Sequence, residues 1–118
     1  MEPITERVES DTLVIRVEDK SRLNESRPED FRRKLQEILQ SHPETNGVVL
    51  DIASVDFFSS TAIATLVLLK RNVTSRGGRL VISGMHADVR QALEIVKLAS
   101  HFDVADNVPA ALEMIHSS

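Results

Sequence analysis

Short apolar runs that alternate with stretches of helical spacing constrain this chain more than any other feature. Val48, Val49, Leu50 and Ile52 form a nearly unbroken run with Asp51 inside it, and Leu80, Val81 and Ile82 form another. A run without polar alternation reads as a strand covered on both faces, as in parallel sheets flanked by crossover helices. Residues 12–17 differ. Leu13, Ile15 and Val17 alternate with Val14 and Arg16, the period of two expected of a strand with one buried face. A weaker strand over residues 4–8 precedes it, and Ser10 and Asp11 between the two predict a hairpin.

The segments between these runs read as helices. Residues 19–27 are polar and charged, a loop that ends at Pro28. Proline suits the first turn of a helix, where its missing N–H costs nothing, and Glu29 and Asp30 follow at the positive end of the helix dipole. Phe31, Leu35, Ile38 and Leu39 recur at i, i+4, i+7 and i+8, with Arg32, Arg33, Lys34, Gln36 and Glu37 off that face. Pro43 stops this helix, and Asn46-Gly47 predict a turn. After a loop over residues 53–59, Ile63, Leu66, Val67 and Leu69 make a second, mostly apolar helix that ends near Arg76 at Gly77-Gly78. Ser83 and Gly84 close the next strand. Val89, Ala92, Leu93 and Val96 mark a third helix, Phe102 and Val104 a short last strand, and Val108, Ala111, Leu112 and Ile115 the face of a final helix opened by Pro109. The order ββαβαβαβα predicts an α/β fold: a largely parallel sheet, mixed through its first hairpin, packed with about four α-helices. A length of 118 residues, without repeat or linker, suits a single domain over residues 1–118.

Composition narrows the function classes. Hydrophobic residues are 42% of the chain but aromatic ones only 3%, so the core is built from Leu, Ile, Val and Ala. Few aromatics leave no stacking platform for single-stranded nucleic acid. A net charge of -4 does not suit a phosphate-backbone binder. No nucleic-acid partner is expected. The absence of cysteine removes disulfides, thiolate chemistry and cysteine-ligated zinc, and fits a reducing compartment. The first residues are acidic and lack an apolar stretch, so they do not read as a signal peptide. The longest apolar stretch, residues 62–69, falls well short of the roughly 20 residues of a membrane span. A cytoplasmic protein without a membrane span is expected.

In α/β folds, sites gather at the carboxyl ends of strands. Two loops qualify here, residues 54–60 and residues 83–86. Ser59, Ser60 and Thr61 stand where the second helix begins. A serine there serves as a helix cap. It also suits a modified serine, because a phosphate would meet free N–H groups and the positive dipole end. Such a group adds a charge of about -1.5 to -2 and can repel a docked partner. Phe57 and Phe58 are half of the aromatic residues. One is expected to enter the core, which leaves the other as an anchor for a partner. Asp51 and Asp56 form no convincing carboxylate pair for acid–base work, since no base, metal ligand or oxyanion hole accompanies them. Asp51 is expected to be hydrogen-bonded at the strand end. His42, His86, His101 and His116 lack metal-ligand spacing, Gly77-Gly78 lacks the Lys-Ser/Thr ending of a phosphate loop, and neither serine lies in a Gly-x-Ser-x-Gly elbow. No enzyme, cofactor or metal is expected. A nucleophilic Ser60 would need a base, for which His86 is the one histidine near the same sheet end.

Residues 48–63, Val-Val-Leu-Asp-Ile-Ala-Ser-Val-Asp-Phe-Phe-Ser-Ser-Thr-Ala-Ile, resemble the signature of STAS domains. In that family a strand ending in Leu-Asp leads through a short hydrophobic loop into Asp-Ser-Ser-Gly-Leu at a helix start. The glycine turn at Gly77-Gly78, the run from Leu80 to Gly84, Phe102 and the closing helix with Ala110, Ala111 and Leu112 resemble the family as well. The resemblance implies an anti-sigma factor antagonist. Such a protein binds an anti-sigma factor that is also a serine kinase, and phosphorylation of the serine at the start of the second helix ends the binding. That serine falls on Ser60, and the implied partner surface is Asp56, Phe58, Ser59, Ser60 and Thr61. Ser59 stands in place of the usual Asp, Thr61 in place of the second Ser and Ala62 in place of Gly. Ser59 is therefore a second candidate acceptor. The alternative within the family is a STAS domain that works unphosphorylated, as a scaffold or a lipid-transport subunit.

Overall fold

The alternation of strands and helices closes into one five-stranded sheet with helices on both faces. The computed structural model describes residues 4–17, 28–55 and 60–117. In chain order these form β1 (Ile4–Glu9), β2 (Thr12–Val17), α1 (Pro28–Ser41), β3 (Gly47–Asp51), α2 (Ser60–Ser75), β4 (Arg79–Ser83), α3 (Ala87–Ile95), a 3₁₀ turn (Ala99–His101), β5 (Asp103–Ala105) and α4 (Val108–Ser117). The expected order ββαβαβαβα and mixed sheet are both realised. The strands lie in the order β1-β2-β3-β4-β5. β1 runs antiparallel to β2, and the remaining pairs are parallel. The hairpin turns at Ser10 and Asp11, with φ of 52° and 64°, as a two-residue loop with both central residues at positive φ requires. The polar segment expected as a loop over residues 19–27 lies outside the described residues.

Side chains alternate between two cores, one on each face of the sheet. On the first face, Leu13, Ile15, Val48, Leu50, Leu80 and Ile82 meet Leu35, Ile38 and Leu39 of α1, Leu66 and Leu69 of α2, and Val89 and Leu93 of α3. On the second, Val14, Val49, Val81 and Ala105 lie beneath Val108 and Ala111 of α4. Val14 corrects the expectation of a single buried face for β2. It is 1% exposed, because α4 covers the face that the alternation assigned to solvent.

Two further expectations are corrected. Gly47 opens β3 instead of completing a turn with Asn46, and a Cβ on it would lie 2.6 Å from Ile115 Cγ2. The turn comes earlier, at Pro43 and Glu44, where Thr45 N–H returns to the His42 carbonyl at 3.3 Å. Val96 does not join the buried face of α3 but is 50% exposed. The helix ends first: Lys97 takes a φ of 63°, its N–H bonds the Glu94 carbonyl at 3.0 Å and Leu98 N–H bonds the Leu93 carbonyl at 2.8 Å. That left-handed termination turns the chain one residue past Val96 and lets Leu98 pack on the core instead. The same motif ends α2 as expected, with Gly77 at φ 79° and Gly78 N–H on the Val73 carbonyl at 2.9 Å. Among the described residues, no helix is long and apolar enough to cross a membrane.

Candidate functional site

Two neighbouring interior strands, β3 and β4, end side by side, with Asp51 opposite Ser83. Ile52 N–H still reaches the Ser83 carbonyl at 3.0 Å, and only then does the chain turn through Ala53 and Ser54. Val55 N–H closes that turn on the Ile52 carbonyl at 2.9 Å. The Val55 side chain is fully buried and ties the loop to the core, while Ala53 and Ser54 face solvent. Asp51 fixes the geometry. One carboxylate oxygen accepts the Ala53 N–H at 3.1 Å and the other accepts Arg16 Nε at 3.0 Å. One oxygen thus holds the turn and the other pairs with β2, the hydrogen-bonded strand-end role expected of Asp51.

The loop after β4 joins the same surface. Gly84 has a φ of 75°, and a Cβ there would come within 2.7 Å of the Ala53 Cβ and 2.9 Å of its Cα. Only glycine lets the two loops approach this closely. His86 Nε2 adds a tether by donating to the Ala53 carbonyl at 2.9 Å. With its proton on that nitrogen, His86 serves as a strut between the loops. The other histidines are dispersed: His42 meets Glu6, His101 stands edge-on to Phe102 and His116 meets Thr12 Oγ1 and the Ser10 carbonyl. Among the described residues, no group of three His, Cys, Asp or Glu is placed to hold a metal ion.

Ser60 is the first residue of α2. Ser60 and Thr61 are exposed, whereas Ala62 and Ile63 directly behind them are buried. The helix is held on the sheet from its first turn, because Ala62, Leu66, Leu69 and Val73 all enter the core. Thr65 Oγ1 donates to the Thr61 carbonyl at 3.1 Å, so the Thr65 hydroxyl is satisfied within the helix. The first N–H groups of a helix have no partner within it, and the dipole adds about half a positive charge there. No acidic residue stands in the first turn of α2 to offset that charge. The arrangement presents two hydroxyls at the positive end of a helix held on the sheet, the element that follows in sequence the turn braced by Asp51 and His86. Asp56, Phe57, Phe58 and Ser59 lie outside the described residues. Sequence reasoning did not foresee Arg16 as the partner of Asp51. The available signal was that Arg16 is the one charged residue in β2.

A family model described as the STAS domain matches residues 3–111 of this chain. Several solved structures share the fold. A Ser-to-Glu variant of RsbS from Moorella thermoacetica superposes with a TM-score of 0.81 at 19% identity, over 98% of this chain and 97% of that one. The anti-sigma factor antagonist SpoIIAA in its unphosphorylated form superposes with a TM-score of 0.77 at 16% identity, over 98% and 97%. The murine anion transporter solute carrier 26 family member A9 gives 0.79 at 17% identity, over 95% of this chain but 19% of the transporter.

Proposed function

Because the chain belongs to the STAS domain family, we propose that it is an anti-sigma factor antagonist whose docking surface is gated by phosphorylation of Ser60. The observation that carries this reading is the placement of Ser60: exposed, first in α2, and just past the carboxyl end of the central strand. The partner is an anti-sigma factor with serine kinase activity. The chain acts as one unit in the cytoplasm, as a binding module and not a catalyst. In the unphosphorylated state the partner docks over the turn at Ala53 and Ser54, the segment with Asp56 and Phe58, and the hydroxyls of Ser59, Ser60 and Thr61. A phosphate on Ser60 faces the start of α2, where backbone N–H groups and the dipole favour an anion. The domain therefore keeps its fold, while the added charge of about -2 and its hydration shell oppose a partner seated there.

The test is to incubate the full chain with its partner kinase and ATP and to map the label by mass spectrometry. Label on Ser60, lost in Ser60→Ala, supports the reading. Label on Ser59 alone moves the switch by one residue, and no label on Ser59, Ser60 or Thr61 removes it. The likeness to the anion transporter favours a second reading, in which the domain serves a transport system without phosphorylation. A stable complex with transporter subunits, and none with a kinase, supports that reading instead.

A further inference from the structure

Among the described residues, β1 is an edge strand of the sheet, and it carries little of the core. Ile4 is buried, and the five residues after it, alternating between both faces, are exposed. An edge of unpaired N–H and C=O groups is a template for another strand. The hairpin decides which groups are unpaired. Glu9 and Thr12 flank its two-residue turn, and such a flanking pair is hydrogen-bonded. Bonded and non-bonded pairs alternate along an antiparallel ladder. Thr5, Arg7 and Glu9 therefore direct their backbone groups at β2, and Ile4, Glu6 and Val8 direct theirs outward.

We propose that β1 pairs antiparallel with β1 of a second copy of this chain, about a two-fold axis at Val8. Register and charge fix the position of the axis. A two-fold pairing sets outward-bonding residues against one another, so the axis falls on a residue and not between two. An axis at Thr5 sets Glu6 against Ile4, which is buried. An axis at Glu6 opposes Glu6 to Glu6, and an axis at Arg7 opposes Arg7 to Arg7. Like charges directly opposite each other destabilise a ladder, whereas opposite charges and β-branched pairs stabilise it. The axis at Val8 alone satisfies both conditions. It opposes Arg7 to Glu9 on each side of the axis and joins two valines that are each 50% exposed. Arg7 and Glu9 already lie 3.2 Å apart within one strand, with side chains about half exposed. The pairing closes four charges into a ring of alternating sign.

The contact is isologous, as two-fold dimers require. It spans few residues and falls below the roughly 1,000 Å² of a standard interface, so the dimer is weak and forms at high concentration. The Val8 end of β1 lies beside Leu13, which pairs with Val48 at the start of β3. That is the end of the sheet away from Ser60, and dimerisation leaves the candidate site open. The test is sedimentation equilibrium of the full chain from micromolar to millimolar concentration. The wild type is expected to dimerise reversibly. Arg7→Glu and Glu9→Arg each oppose like charges and weaken the dimer at least about tenfold. The double variant inverts both pairs and restores it. These side chains are exposed, and circular dichroism confirms that each variant is folded. A wild type that stays monomeric throughout, a dimer indifferent to Arg7→Glu, or a double variant without recovery overturns the proposal.

Discussion

Arg76 donates to three backbone carbonyls at once, those of Leu39 at 2.9 Å, Thr45 at 2.8 Å and His42. These oxygens belong to the end of α1 and the turn that follows it, where carbonyls are left without the i+4 N–H of a continuing helix. One guanidinium with five donors can satisfy them together, and a lysine ammonium cannot match that planar fork. Arg76→Ala is expected to lower stability by about 1–3 kcal/mol, and Arg76→Lys by less, measured by urea unfolding. Ser83 is the opposite case. Its hydroxyl is fully buried and has no hydrogen-bond partner among the described residues, and an unsatisfied buried polar group is costly. Ser83→Ala is expected to raise stability by up to about 1 kcal/mol, and a loss would show that the hydroxyl is in fact satisfied. Neither role was legible in the sequence. Both depend on which distant backbone the fold brings near, and residue type and spacing carry no record of that.

Local chemistry decided the elements that were read well. The Gly77-Gly78 stop worked because glycine alone takes φ 79° without strain. The β1–β2 hairpin worked because Ser10 and Asp11 fill a two-residue turn between alternating runs. The end of α3 was misplaced for the same physical reason. Its left-handed residue is Lys97, which gives no glycine signal, so the helical spacing ran on to Val96. Lys97→Gly is expected to stabilise the domain by about 0.5–1 kcal/mol by removing the strain of a side chain in that conformation. An unchanged urea midpoint would mean that Lys97 gains an interaction which offsets the strain. The cap of α4 was also missed: Asn107 Oδ1 accepts the Ala110 N–H at 2.9 Å. Its signal was present, an asparagine just before Val108-Pro109, but Pro109 drew the reading.

At the scale of the molecule, order and covering were legible because parallel sheets impose them. An apolar run without alternation placed β3 at the centre and read β4 as another buried strand, and β3 is the middle strand with β4 beside it in the interior of the sheet. That α4 covers the second face was not legible. That is why Val14 and Gly47 were misread, since both owe their burial to it. Of the candidate site, the start of α2 and the neighbouring loop after β4 were foreseen. The close contact between Gly84 and Ala53 was not, because it follows from the spacing of adjacent parallel strands and not from a motif.

On the proposed reading, a phosphate at residue 60 changes docking without changing the fold. This is tested most directly by introducing phosphoserine site-specifically at position 60 and measuring partner affinity and thermal unfolding on the same sample. The account predicts an affinity at least about tenfold weaker, with a midpoint equal to or slightly above that of the unmodified chain. Unchanged affinity, or weak binding that arises only because the domain has unfolded, would contradict it.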